Sequence, residues 1–227
     1  LYCNGKTIRR WNLGRNKMLT IAIFSCGYGH LASHTIESVL TQTVMPEQIL
    51  FFDDGVGDCK HLPAIYPEVK YYFRSENVGR VANLHDAQMR VETEYTMFIS
   101  ADDWLRADAV EVLTSEPTDV ITYDFMVTGE KRREWIRFAG PAQFRFSDDE
   151  SGDTYWHRDG GHHGCMMYKT SLGKEIGYER REGATYGDEE DYRLWLELKK
   201  RNANIKYIPK PLLYYRRHRE NSIRFWE

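Results

Sequence analysis

The feature that most limits what this chain can become is the alternation of short apolar runs with helix-periodic segments across its first half. Leu19–Ser25 is a β-branched run with almost no polar interruption, which suits a strand covered on both faces. Gly27 and Gly29 end it, and a helix is expected from Ala32 to Thr43, with Ile36, Val39 and Leu40 as its apolar stripe and Pro46 beyond it. Further strands are expected at Gln48–Phe52, Val69–Phe73, Tyr95–Ser100 and Val120–Tyr123. Helices are expected from the Asn77–Gly79 turn to near Glu92, and over Ala107–Thr114. This order predicts an α/β fold, an open mixed but mostly parallel sheet flanked by helices. Ligands of such sheets bind beyond the C-terminal ends of the strands. Acidic pairs stand at two of those ends, Asp53 with Asp54 and Asp102 with Asp103.

The second half reads differently. Lys131–Phe146, with Trp135, Ile136, Phe138, Phe144 and Phe146, suggests a β excursion, and Ser147–Gly164 reads as a polar, Gly-rich loop. A short strand is expected within Gly164–Lys169, a helix near Ser171–Ile176 and a longer helix over Asp188–Arg201. Ile205–Ile208 reads as a strand that Pro209 and Pro211 break, with a separate strand at Leu212–Arg216. The expected organisation is an N-terminal extension (1–17) and one domain (18–227). Its halves are a nucleotide-binding part (18–125) and an acceptor-binding part (126–227).

Composition removes several classes. A formal net charge of -3 gives no bulk attraction for nucleic acid. No run of apolar residues is long enough to span a membrane. Cys3, Cys26, Cys59 and Cys165 are scattered without a paired spacing, which fits neither a zinc knuckle nor a disulfide framework and suggests a reducing compartment. A cytoplasmic protein is expected, peripheral at the cytosolic face of a membrane if it meets one.

Three acidic constellations carry the chemistry. Adjacent carboxylates at Asp102 and Asp103 repel each other and lose hydration at a strand exit, and a divalent cation bridging to diphosphate oxygens offsets both costs. The alternative is a solvated Asp102 with Asp103 capping the next turn. Asp53 and Asp54, followed by Gly55, either accept hydrogen bonds from a base or ribose or form an ordinary turn. Asp191 shares a helix face with Leu194, Trp195 and Leu198. It is either a general base with a desolvated carboxylate or, with Asp188, part of a capping arrangement. The Gly160–Gly164 segment with His157, His162 and His163 fits no zinc spacing and is better read as a loop over a substrate; a hydrolytic metal site there is disfavoured. Tyr215, Arg216, Arg217 and His218 offer cations to phosphate, or a solvated basic tail.

Together these segments resemble the family 2 glycosyltransferases of the GT-A fold, over roughly Leu19 to Ile223. The residues that carry the likeness are Thr20–Tyr28, Glu37–Thr43, Phe52–Asp58, Glu76–Arg80, Ser100–Trp104, Glu190–Trp195, and Tyr215–His218 with Asn221 and Ser222. The resemblance implies transfer of a sugar from a nucleotide-diphosphate sugar, with UDP-sugars favoured, to a hydroxyl of a glycan or other acceptor. It implies inversion and a bound Mn2+ or Mg2+. Asp103 and His218 would hold the cation, and Asp191 would be the catalytic base. Ser25, Tyr28, Asp53, Asp54, Asn77, Gly79, Arg80, Asp102, Trp104, Glu190 and Arg217 would contact nucleotide or substrate.

Three positions and one segment depart from the family pattern. Ser100 replaces the first acid of the metal motif, His85 and Ala87 stand where Asn and Gly are usual, and Cys26–His30 replaces the usual first turn. A nucleotidyltransferase is the main alternative, but residues 25–34 hold no Lys or Arg to grip a triphosphate. A non-catalytic nucleotide-sugar-binding module is the other.

Overall fold

The computed structural model describes residues 18–129, 133–136, 144–148, 153–157, 165–178 and 190–218. The extension 1–17, the Gly160–Gly164 loop, Asp188, Asn221 and Ser222 lie outside the described residues. The element order opens β1 (Leu19–Ser25), α1 (Gly29–Leu40), β2 (Gln48–Asp53), α2 (Leu62–Ile65), β3 (Lys70–Phe73), α3 (Arg80–Arg90) and β4 (Tyr95–Ser100). It continues β5 (Trp104–Leu105), α4 (Ala109–Ser115), β6 (Val120–Gly129), β7 (Arg133–Ile136), β8 (Phe144–Asp148) and β9 (Asp153–His157). It closes β10 (Met166–Lys169), α5 (Thr170–Ile176), α6 (Glu190–Lys200) and β11 (Ile205–Arg217).

One nine-stranded sheet runs β3-β2-β1-β4-β10-β6-β11-β5, with β7 paired to β6, while β8 and β9 form a separate antiparallel hairpin. Strands β3, β2, β1 and β4 are mutually parallel. Their central members bury both faces, as the unbroken apolar runs require: Ile21, Ile23, Leu50, Phe51, Phe52, Phe98 and Ile99 are all fully enclosed. Register fixes the functional edge, because Ser25 pairs with Asp53 and Phe24 with Ser100. The strand ends that carry polar residues therefore lie side by side.

Three features of the second half differ from the sequence reading. Asp153–His157, within the stretch Ser147–Gly164 expected to be a loop, is the strand β9, paired with β8. The four-residue β10 enters antiparallel between β4 and β6, pairing Met167 with both Met97 and Ile121. And β11 is a single strand rather than two. Its parallel register with β6 shifts between Ile208 and Pro211 and again between Pro211 and Leu213, so irregularities absorb the prolines.

Helix boundaries also moved. Helix α1 starts three residues before Ala32, because Asp58 Oδ2 accepts the Gly29 N–H at 2.7 Å and caps it from another loop. Helix α3 stops at Arg90, where Val91 is already extended. Helix α4 starts at Ala109 instead of Ala107, and α6 spans Glu190–Lys200 within the expected Asp188–Arg201. The short elements α2 and β5 carried no periodicity long enough to read.

Candidate active site

Four segments meet at the C-terminal edge of the parallel strands. The turn after β1 carries Ser25 and Tyr28, the turn after β2 carries Asp53 and Asp54, the turn after β3 carries Asn77 and Gly79, and the turn after β4 carries Asp102, Asp103 and Trp104. The end of β11 completes the edge with Arg216 and His218.

Asp53 and Asp54 are almost fully enclosed, at 1% and 3% exposure. Asp53 accepts the N–H groups of Val56 and Gly57, and Asp54 accepts that of Val78 at 3.0 Å. Their carboxylates thus tie the β2 turn to itself and to the β3 turn. Gly55 is demanded at this crossing: its φ is +81°, and a Cβ there would sit 2.1 Å from the carbonyl carbon of Glu76. Asn77 Oδ1 accepts the Gly79 N–H, and its amide lies 3.2 Å from the Cys26 sulfur. Gly79 caps α3, whose first residue is Arg80. Ser25 Oγ accepts the Tyr28 N–H and the Cys59 thiol.

Among the described residues, one trio of ligand-type atoms gathers within 4.8 Å: Asp53, Asp58 and Cys59. Its chemistry is that of a clasp. Asp53 and Asp58 already receive backbone N–H groups, and burial pushes the Cys59 thiol up to about 12, far from the thiolate a cation needs.

The β4 turn divides its two acids. Asp103 is fully enclosed, and its Oδ1 accepts the Arg216 N–H at 2.9 Å. Its Oδ2 is buried without a hydrogen-bond partner among the described residues. Burial, with the neighbouring Asp102 charge, holds its carboxyl well above the usual carboxylate range. Asp102 Oδ2 instead meets His218 Nε2 at 3.0 Å, and His218 lies edge-on to the Tyr28 ring at 5.5 Å. Thr35 on α1 braces this turn from below: its hydroxyl lies 2.7 Å from the Ala101 carbonyl and 2.5 Å from that of Asp103.

The remaining expected residues separate clearly. Trp104 stacks on Tyr214 at the rim. Glu190 and Asp191 stand in the first turn of α6 and Arg217 at the end of β11; their side chains lie outside the described residues.

Sequence reading missed Arg74, which follows β3. It donates to Asn83 and Asp86 on α3 and lies 3.9 Å from Asp54. An Arg at a strand exit, six residues before α3 begins, gave no pattern of its own. It also missed Thr35, Asp58 and His34, whose partners are remote in sequence. His85 accepts the Tyr178 N–H, and the buried Asn83 faces the β3 turn instead.

The sequence matches the family model "Glycosyl transferase family 2" over residues 20–177, more than half of the chain. No curated protein sequence matches. Among solved structures, TarS residues 1–349 from S. aureus superposes with a TM-score of 0.64 at 16% identity, covering 88% of this chain and 60% of that one. The same protein in complex with UDP-GlcNAc gives 0.66 at 16% identity, over 90% and 60%. In complex with UDP it gives 0.65 at 16% identity, over 88% and 60%. The chain therefore has a GT-A-type fold and spans 60% of the length of these structures. No helix among the described residues is long and apolar enough to cross a membrane.

Proposed function

The chain belongs to glycosyl transferase family 2, and from that premise we propose that it moves a sugar from a UDP-sugar to a hydroxyl of a glycan or other acceptor. The proposal includes inversion at the anomeric carbon and a bound Mn2+ or Mg2+. UDP as the base-bearing part is supported by the TarS complexes with UDP-GlcNAc and UDP.

The observation that carries the proposal is the Asp102–His218 contact at the strand edge, beside Tyr28. Two neighbouring ligands of an octahedral cation, each about 2.1 Å from it, lie about 3 Å apart. That is the spacing of Asp102 Oδ2 and His218 Nε2. An imidazole beside a carboxylate suits Mn2+ better than Mg2+, the harder cation of the two. The residues fit the ion, and this spacing supports Asp102 with His218 as the pair that holds the cation, with Asp103 as a support of the turn. Asp103 is fully enclosed and already accepts the Arg216 N–H, whereas Asp102 meets the His218 imidazole. When bound, the cation neutralises charge gathering on the leaving diphosphate.

The chain's own residues do the rest. Asp53, Asp54, Asn77 and Gly79 fix the two turns that form the nucleotide wall, with Ser25, Tyr28, Arg80 and Trp104 lining it. Arg217 meets the diphosphate, and Glu190 the acceptor. The acceptor oxygen attacks the anomeric carbon as the bond to the diphosphate oxygen breaks. UDP leaves with that electron pair, and the acceptor proton passes to Asp191. Support for Asp191 is topological. Val120 N–H donates to the Asn204 carbonyl just after α6, so that helix ends where β6 and β11 begin, at the edge opposite Asp102. Asp191 lies about 14 Å of helix from that end.

The test is D191N. It should retain UDP binding and lose transfer by several orders of magnitude. Normal transfer by D191N refutes the assignment of the base. A chain that binds UDP with metal yet transfers from no UDP-sugar in a panel is a binding module instead.

A further inference from the structure

Arg216 makes more contacts across the site than any feature of the sequence suggested. Its backbone N–H donates to Asp103 Oδ1, and its Nε donates to the Asp102 carbonyl at 2.8 Å. Its Nη2 lies 2.6 Å from His34 Nδ1 on α1. The guanidinium sits over the Trp104 ring, 4.6 Å from its centroid, and the other contacts of that ring are Tyr214, stacked at 5.2 Å, and His34 at 4.7 Å.

Chemistry fixes the roles in this cluster. A guanidinium is always charged and only donates. His34 Nδ1 is therefore the acceptor, so the ring is neutral and carries its proton on Nε2. Burial and the Arg216 charge both lower the His34 pKa, consistent with that state. Along β11, alternation places Tyr214 and Arg216 on one face, and both meet Trp104. Two residues further, His218 reaches Asp102. The turn carrying Asp102 and the strand carrying His218 come from separate parts of the chain, 116 residues apart. The Arg216 side chain ties the first directly to the second, and α1 holds the tie in place through His34.

We propose that Arg216 is a positioning residue for the Asp102–His218 pair: its guanidinium, held between Trp104 and His34, sets the separation at which those two side chains take up a divalent cation with UDP. The proposal rests on the reading of that pair given above. Groups that orient metal ligands without touching the metal typically carry 10–100-fold of its affinity.

The experiment measures Mn2+ affinity at saturating UDP by titration calorimetry, with Mn2+ electron paramagnetic resonance as a second readout. It compares wild type, R216A, R216K, H34A, H34N and D102N. R216A should weaken Mn2+ binding by about 10–100-fold. R216K should recover little, because an ammonium on a flexible stem cannot donate in one plane to Asp102 and His34 while lying flat on Trp104. H34A should weaken binding and H34N should restore it, since the Asn carbonyl oxygen stands where Nδ1 does and accepts as it does. UDP binding measured without metal should change far less than binding with metal.

Wild-type Mn2+ affinity in R216A overturns the proposal. So does full recovery in R216K, which would make charge alone sufficient. Equal losses of UDP affinity with and without metal also overturn it, because the guanidinium would then be a direct phosphate ligand. If R216A fails to fold, the contrast between H34A and H34N decides. D102N separates the two levels: if D102N loses Mn2+ and R216A does not, only the positioning role falls. If D102N keeps Mn2+, the cation assignment falls, and the positioning role with it.

Discussion

Thr35→Val changes one hydroxyl to a methyl beneath the β4 turn and leaves the shape almost unchanged. Thr35 is fully buried, and its single hydroxyl proton is shared between the Ala101 and Asp103 carbonyls, which flank Asp102. Removing it leaves two enclosed carbonyls short of a donor. Losing the partner of a buried polar group costs about 1–3 kcal/mol. The added methyl returns at most about 0.8 kcal/mol, the worth of one buried CH2. A net loss of about 1–2 kcal/mol should lower Tm by about 2–8 °C for a chain of this size. T35S keeps the hydroxyl and loses only a methyl, so it should lose less. Because the unsupported carbonyls bracket Asp102, T35V should also weaken UDP binding with Mn2+ more than T35S does. Calorimetric melting with and without UDP and Mn2+ reads both effects. If T35S is the less stable variant, or if T35V matches wild type within about 0.5 kcal/mol, the hydroxyl does not brace the turn.

Other perturbations address the same site. Asp103→Asn keeps an acceptor for the Arg216 N–H without a charge to bury. Because the folded state raises the Asp103 pKa, it holds a proton that the unfolded chain releases near pH 4, so wild-type stability falls as pH rises through that window. The Tm advantage of D103N over wild type should therefore grow between pH 4 and pH 7, and a constant difference would count against the raised pKa. Gly55→Ala should destabilise by at least about 1–2 kcal/mol from the positive φ alone, and more from the contact with Glu76. It should also weaken UDP binding in a calorimetric titration, and a wild-type affinity would show that the two turns are not part of the nucleotide wall. Asp58→Ala removes the acceptor of the Gly29 N–H and should cost about 1 kcal/mol in a denaturant melt; no change would mean water replaces the cap.

Much of the fold was legible because its signal is local. Strands β1, β2 and β4 bury both faces, and an unbroken apolar run has few other uses. The edge where ligands bind followed from the parallel order alone. What stayed hidden depends on distant partners. Nothing in Met166–Lys169 says that it separates β4 from β6. The prolines in β11 read as breaks because a local rule cannot see the partner strand that tolerates them. The start of α1 moved because its cap, Asp58, comes from another loop. At the site, the gathering of acidic residues along one edge was readable, but the separate partners of Asp102 and Asp103 were not. Asp102 and Asp103 are adjacent in sequence but take different partners near the end of β11, the His218 ring for one and the Arg216 N–H for the other. The Arg216–His34 contact joins residues 182 apart, beyond any spacing rule.

The most direct measurement is UDP binding by isothermal titration calorimetry, with and without Mn2+, on wild type, D102N and H218A. Wild type should bind UDP tightly only with Mn2+, and each variant should lose that dependence while its Tm without ligand stays near wild type. Metal-dependent binding that survives in both variants, or no binding of UDP by wild type under either condition, would contradict a cation-assisted UDP-sugar site at Asp102 and His218.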